Sequence, residues 1–125
     1  MKLKKLTTLL IVDAIEPALG TWRKLGYEVT VRVPEQGTLG FVILVGPAGE
    51  IMLQTRASLA EDLPAVAKLA PSHLLYGDVA SLSQAETALS DATVMVPRRK
   101  TFYGATEIWW RLQDGVVLGL NESAD

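Results

Sequence analysis

The sequence predicts an α+β fold made of two tandem strand-helix-three-strand (βαβββ) modules, and three observations lead there. The order of elements read from hydrophobic pattern and turn residues is the same in both halves. Corresponding residues recur at a nearly constant offset: Asp13 and Asp78, Leu25 and Leu89, Gly40 and Gly104, and Gly49 and Gly115 stand 64 to 66 positions apart. A constant period of this kind marks a repeated structural unit. A helix-like segment over about 57–71 separates the halves, leaving module one at about 1–56 and module two at about 72–122 of a single domain over 1–125.

The elements follow in order. Leu6 to Val12 is an apolar, threonine-containing run that suits a buried strand. Ala14 to Leu25 reads as a helix, with Ile15, Leu19, Trp22 and Leu25 at near-helical spacing, Pro17 tolerable in the first turn and Gly26 placed to stop it. Tyr27 to Val33 alternates, with Tyr27, Val29, Val31 and Val33 on one side, as in a half-buried strand. Phe41 to Val45 and Ile51 to Thr55 flank Gly46, Pro47, Ala48 and Gly49 as a hairpin with a four-residue loop. The linking helix is expected to have Ser58 as its N-cap, Glu61 and Asp62 in its first turn and Pro71 as terminator. Module two then offers a strand at Leu74 to Val79, a helix at Ser83 to Leu89 and a strand at Ala92 to Val96. A hairpin of Glu107 to Leu112 with Val116 to Leu120 closes it around Gln113, Asp114 and Gly115.

Composition narrows the function classes. The chain has 125 residues, 49% of them hydrophobic and 21% charged, which is ordinary for one soluble domain. A net charge of −2, with no basic run longer than Arg98, Arg99 and Lys100, gives no footprint for nucleic acid. The absence of cysteine excludes disulfides, thiolate metal sites and cysteine nucleophiles. Met1 to Leu10 reads as a first strand rather than a signal peptide, and no apolar run is long enough to span a membrane, so a cytoplasmic location is expected.

The segment Trp22, Arg23, Lys24, Leu25, Gly26, Tyr27, Glu28, Val29 resembles the glyoxalase-type signature, in which a helix runs through Leu-Gly-aromatic into the second strand. Tyr103, Gly104, Glu107, Gln113, Asp114 and Gly115 resemble the same family's Tyr-Gly, Glu and Asp-Pro-Asp-Gly pattern, with Gln113 where proline is usual. The chain is thus similar to the vicinal oxygen chelate superfamily of glyoxalases, bleomycin resistance proteins and dioxygenases. The resemblance implies curved mixed sheets around a concave cavity and, in many relatives, a dimer. It also implies four places for metal ligands, near the start of each module's first strand and the end of its last. Those places hold Leu6, Thr7 or Thr8; Met52 or Leu53; a position close to His73; and Gly119. One imidazole does not make a site that needs about three protein ligands. No metal and no cofactor is therefore expected, and His73 reads as a surface residue after Pro71 and Ser72.

If Leu112 pairs with Val116 across the last turn, Trp109 faces Gly119, Trp110 faces Leu118 and Arg111 faces Val117. Trp110, Leu112, Val116, Leu118 and Leu120 then form an apolar side fit for a helix, and Glu107, Trp109, Arg111, Val117 and Gly119 form a mixed side. On the mixed side Glu107 and Arg111 are expected to fix polar ends of a ligand, Trp109 to stack on its flat part and Gly119 to leave room; the alternative is an ion pair between Glu107 and Arg111 on a solvated face. Tyr103 and the basic segment Arg98 to Lys100 lie in what resembles a cavity-mouth loop, either steering an anion or simply solvated. Gln54 sits in an Ile-Met-Leu-Gln strand like that of bleomycin-resistance-like relatives. The candidate ligand-binding residues are Glu107, Trp109, Arg111, Tyr103 and Gln54; catalytic residues are unknown. Phe41 to Val45, apolar throughout, is expected to be buried on both faces, one under a helix and the other against the opposite module, a ligand or a second subunit, the last of which would make a homodimer.

The leading functional expectation is a metal-free protein that binds a small organic molecule in a cavity between the modules or subunits. The alternatives are an enzyme of the same superfamily, with Glu107 as a general base or with unexpected ligands such as Glu107 and His73, and an interaction module with no ligand.

Overall fold

The computed structural model describes residues 1–123. They fall into two compact units, Thr8–His73 and Met1–Thr7 together with the described residues from Leu74 onward. No helix among the described residues is long and apolar enough to cross a membrane.

The first unit contains the second half of strand β1 (Leu3–Val12), helix α1 (Glu16–Lys24), strands β2 (Glu28–Val33), β3 (Phe41–Gly46) and β4 (Gly49–Thr55), and helices α2 (Arg56–Asp62) and α3 (Pro64–Ala67). Its strands run in the order β2-β3-β4-β1. β1 lies parallel to β4, with Thr8 opposite Ile51 and Val12 opposite Thr55, and the other pairs are antiparallel. Alternation along the strands sends Leu10, Val12, Val42, Leu44, Ile51 and Leu53 to one face, where Ile15 and Leu19 of α1 cover them. Fully burying an aliphatic side chain, as at Val42, Leu44 and Leu53, contributes roughly 1.5–3 kcal/mol.

The second unit repeats the plan with strand β5 (His73–Val79), helix α4 (Leu82–Ala88) and strands β6 (Thr93–Lys100), β7 (Thr106–Arg111) and β8 (Val117–Glu122). The order is β5-β8-β7-β6, again with the first strand parallel to the last. The predicted register of the last hairpin is the observed one: Trp109 lies opposite Gly119, Trp110 opposite Leu118 and Arg111 opposite Val117. Its apolar side, Ile108, Trp110, Leu118 and Leu120, receives Leu82 and Ala85 of α4, with Leu112 at the margin. The α+β class and the repeated βαβββ order are those read from the sequence.

Local chemistry changes several boundaries. Thr55, not Ser58, caps α2: Thr55 ends β4 with extended backbone, and its hydroxyl accepts the Ser58 amide at 3.0 Å. The linker is two short helices because Leu63, held before Pro64, takes a non-helical conformation, which leaves Glu61 and Asp62 in the last turn of α2 rather than the first. The β3–β4 loop is only Pro47 and Ala48, since Gly46 pairs with Gly49. Gly46 is needed there because a Cβ would lie 2.8 Å from the Tyr27 ring. In β2 a register shift between Val29 and Val31 breaks the expected alternation and leaves Val31 exposed. β3 is fully buried at Val42 and Leu44, on the face that α1 covers; on its other face Phe41 and Ile43 are half-buried and Val45 is exposed within the chain. β6 continues through Arg98, Arg99 and Lys100, so the basic cluster belongs to a strand and not to a loop.

Trp110 is 1% exposed at the centre of the second core. Trp110→Ala should lower unfolding free energy by about 3–5 kcal/mol, read from the urea midpoint. A cost below about 1 kcal/mol would show that this face is not the core of its unit.

Candidate functional site

The face of the second unit turned away from α4 is polar, and strand pairing arranges it in two rows. Tyr76, Gly119 and Trp109 are neighbours across β5, β8 and β7; Asp78, Asn121, Glu107 and Arg99 are neighbours across β5, β8, β7 and β6. Arg99 reaches the second row because β6 shifts register between Val96 and Arg99, where Pro97 has no amide hydrogen to give to a ladder.

Glu107 is the centre of this face. It is 3% exposed, yet its carboxylate is fully engaged. Arg99 donates from Nε at 2.9 Å and lies within 2.8 Å through its second terminal nitrogen, both on Oε2, and the Trp109 indole N–H donates to the same oxygen at 2.8 Å. The Tyr76 hydroxyl donates to Oε1 at 2.7 Å. Charge-assisted bonds of this kind are what make a buried carboxylate tolerable. Beyond Tyr76, the hydroxyl of Tyr103 lies 2.6 Å from the Tyr76 hydroxyl. Tyr103 is held by a tight β6–β7 loop, in which Thr101 N–H bonds the Ala105 carbonyl at 2.8 Å and Gly104 takes a φ of +88° that glycine alone adopts easily. In the second row, the Asn121 amide donates to the Gly77 carbonyl at 3.0 Å and to Asp78 at 2.6 Å.

Gly119 explains how Trp109 can lie down. A Cβ on Gly119 would come within 2.6 Å of the indole, so the ring rests on bare backbone. It leans across β8 to within 5.4 Å of the Tyr76 ring, which places its N–H on Glu107. Burial first, and then the nearby Glu107 carboxylate, push the Tyr76 phenol far above its ordinary value. Burial likewise raises Tyr103.

No protein-family model and no curated protein matches the sequence. Solved structures do match. A glyoxalase/bleomycin resistance protein/dioxygenase superfamily member from Vibrio splendidus 12B01 superposes with a TM-score of 0.71 at 15% identity, over 95% of this chain and 98% of the other. Methylmalonyl-CoA epimerase from Mycobacterium tuberculosis gives 0.70 at 18% identity, over 98% and 90%. A Bacillus halodurans C-125 protein gives 0.69 at 18% identity, over 99% and 95%. The fold is the vicinal oxygen chelate fold.

The metal centre that some vicinal oxygen chelate proteins carry does not fit these residues. Among the described residues no three His, Cys, Asp or Glu side chains are grouped as an ion would require. Gly119 offers no ligand and lies under an indole, while both Glu107 oxygens already accept from Tyr76, Arg99 and Trp109. His73 is exposed, with its Nδ1 3.0 Å from the Ser72 hydroxyl.

Of the candidate residues, Tyr103, Glu107 and Trp109 meet in one network. Arg111 stands exposed at the end of the same strand face. Glu107 pairs with Arg99 rather than with Arg111 as in the alternative reading, and the room expected over Gly119 is filled by Trp109, whose 3% exposure leaves no ring face for a ligand to stack on. Gln54 belongs to the first unit, where it is buried and its amide donates to the Ser58 hydroxyl at 3.0 Å. Ser58 lines a groove of about 470 Å³ with Val33, Thr38, Leu39 and Glu61. The basic cluster is divided, since Arg98 pairs with Glu86 at 2.6 Å and Arg99 with Glu107, which weakens the anion-steering reading of this segment. Tyr76 was not among the candidates, although the alternation of Leu74, Tyr76 and Asp78 put it on one face with Asp78; what no pattern showed was the pairing of β5 with β8.

Two results are expected. A phenol held neutral by the fold contributes stability in full below the unfolded value of 10.0, and that contribution declines as pH rises above it. Phenolate absorbance of the wild type should therefore show no more phenols ionising near the ordinary value than that of Tyr76→Phe until alkaline unfolding; one additional phenol ionising in the wild type there would contradict the network. Gly119→Ala should displace the indole, lower stability by about 1–3 kcal/mol and red-shift tryptophan emission. An unchanged spectrum would count against the packing described.

Proposed function

We propose that this chain is a metal-free small-molecule-binding protein of bleomycin-resistance type, and that it holds a small organic ligand against the Tyr103, Tyr76 and Glu107 face of its second unit. The observation that carries this reading is the saturation of Glu107. A carboxylate whose two oxygens accept from a phenol, a guanidinium and an indole is built to hold neighbouring groups in place, not to abstract a proton. Its outermost members are exposed: Tyr103 is 57% and Phe102 83% accessible, with their rings in edge contact at 5.1 Å. A rigid polar cluster ending in two exposed aromatic rings suits recognition of a ligand with one polar group on an apolar body. Arg111 on the same strand face supplies a second polar contact, and Trp109 acts as a support for Glu107 beneath the ligand. At Gln54, where the amide is given to Ser58, contact with a ligand would run through the carbonyl oxygen.

The same reading includes a homodimer. Val31 and Val45, both 42% exposed, lie on β2 and β3, and β2 is the edge strand of its sheet, so an apolar surface borders an unpaired edge.

Native mass spectrometry and elemental analysis of protein purified without chelator test these statements together. A metal-free dimer is expected, and in a compound screen Tyr103→Phe should weaken ligand binding about tenfold while leaving the unfolding midpoint within error. Stoichiometric metal, or ligand affinity indifferent to Tyr103 and Tyr76 substitutions, would overturn the reading.

A further inference from the structure

Resting on the binding reading above, the structure also assigns a chemical class to the ligand's polar group, through the direction of the hydrogen bonds. Each phenol carries one hydrogen. The Glu107 carboxylate accepts only, and it takes the hydrogen of Tyr76 at 2.7 Å. Tyr76 can then meet Tyr103 at 2.6 Å only as an acceptor, so Tyr103 must donate inward. The chain of bonds runs Tyr103 to Tyr76 to Glu107, and it leaves the exposed Tyr103 oxygen with lone pairs and no hydrogen to offer. The Thr101 hydroxyl, 3.3 Å from the Ala105 carbonyl, is also hydrogen-bonded to the same oxygen and takes up one of its two lone pairs, which leaves one for a ligand.

We infer that this face recognises a hydrogen-bond donor, of the class of a primary organic ammonium group, at the Tyr103 oxygen, with the ligand's apolar body laid on Phe102. A carboxylate or phosphate would bring lone pairs against lone pairs. The nearby cation does not reverse this preference, because Arg99 is bound to Glu107 and its charge is matched.

The direction of the chain is itself open to test, because Glu107→Gln should reverse it. Arg99 and Trp109 bring donors to Oε2 and can be satisfied only by an oxygen there. The glutamine amide nitrogen must then face Tyr76 and donate to it; Tyr76 turns its hydrogen to Tyr103, and Tyr103 turns its own outward.

The experiment is a protein-observed NMR titration read at the Phe102 and Tyr103 amides with three probes: phenethylammonium, its N-trimethyl derivative and phenylpropanoate. The first two share charge and body and differ in N–H donors; the third offers acceptors only. Phenethylammonium should bind about tenfold more tightly than either of the others. Tyr103→Phe should abolish that preference, and Glu107→Gln should erase the advantage of phenethylammonium over its trimethyl derivative. Phe102→Ala should weaken all three probes alike. Equal affinity of the first two probes in the wild type, or a preference that survives Tyr103→Phe, overturns the donor assignment while leaving a binding face in place. If none of the three probes shifts Phe102 or Tyr103, the binding reading fails and this inference fails with it.

Discussion

A carboxylate at 3% exposure is costly to keep charged, and the second unit is organised around making it tolerable. Removing one partner from such a buried pair leaves an uncompensated charge that costs about 3–5 kcal/mol. Arg99, Trp109 and Tyr76 are therefore not independent decorations of a sheet. Each meets Glu107 through a distinct structural feature: a register shift in β6, an indole lying across Gly119, and a phenol from β5. Tyr103 is joined to the set through Tyr76. The bare backbone of Gly119 is what permits this convergence, since any side chain there would occupy the space of the indole.

The two units share a topology and differ in what it supports. In both, the first strand lies parallel to the last and one helix covers an aliphatic face. On the face away from the helix, the first unit carries Phe41, Ile43, Met52 and Gln54, while the second carries Tyr76, Asp78, Glu107, Trp109 and Asn121. The repeat thus preserves the core, where burial constrains residue type, and leaves the opposite face free to diverge.

Much of this fold was legible from local signals. The period-two alternation of β7 and β8 and the turn at Asp114 and Gly115 specified a register that the structure reproduces pair by pair. Gly26, at a φ of +92°, ends α1 where expected. Signals failed where two local rules competed. Ser58 looked like a cap, but Thr55 already had the extended backbone a cap needs; one linking helix was expected, but Pro64 disfavours a helical residue before it and Leu63 takes a non-helical conformation. The basic run Arg98 to Lys100 looked like a solvated loop, because charge without alternation carries no strand signal.

The sequence by itself determined the class, the repeat, the helix-facing core and the face on which Glu107, Trp109 and Gly119 would lie, since all of these follow from periodicity along one chain segment. Only the tertiary structure decided what those residues do. Glu107 pairs with Arg99 rather than Arg111, Trp109 fills the space above Gly119 rather than leaving it for a ligand, and Tyr76 joins the set. The reason is physical: these contacts depend on which strands become neighbours and in what register, for Arg99 on the register shift in β6 and for Tyr76 on the parallel pairing of β5 with β8. Parallel partners lie far apart in sequence, and no turn between them records their alignment.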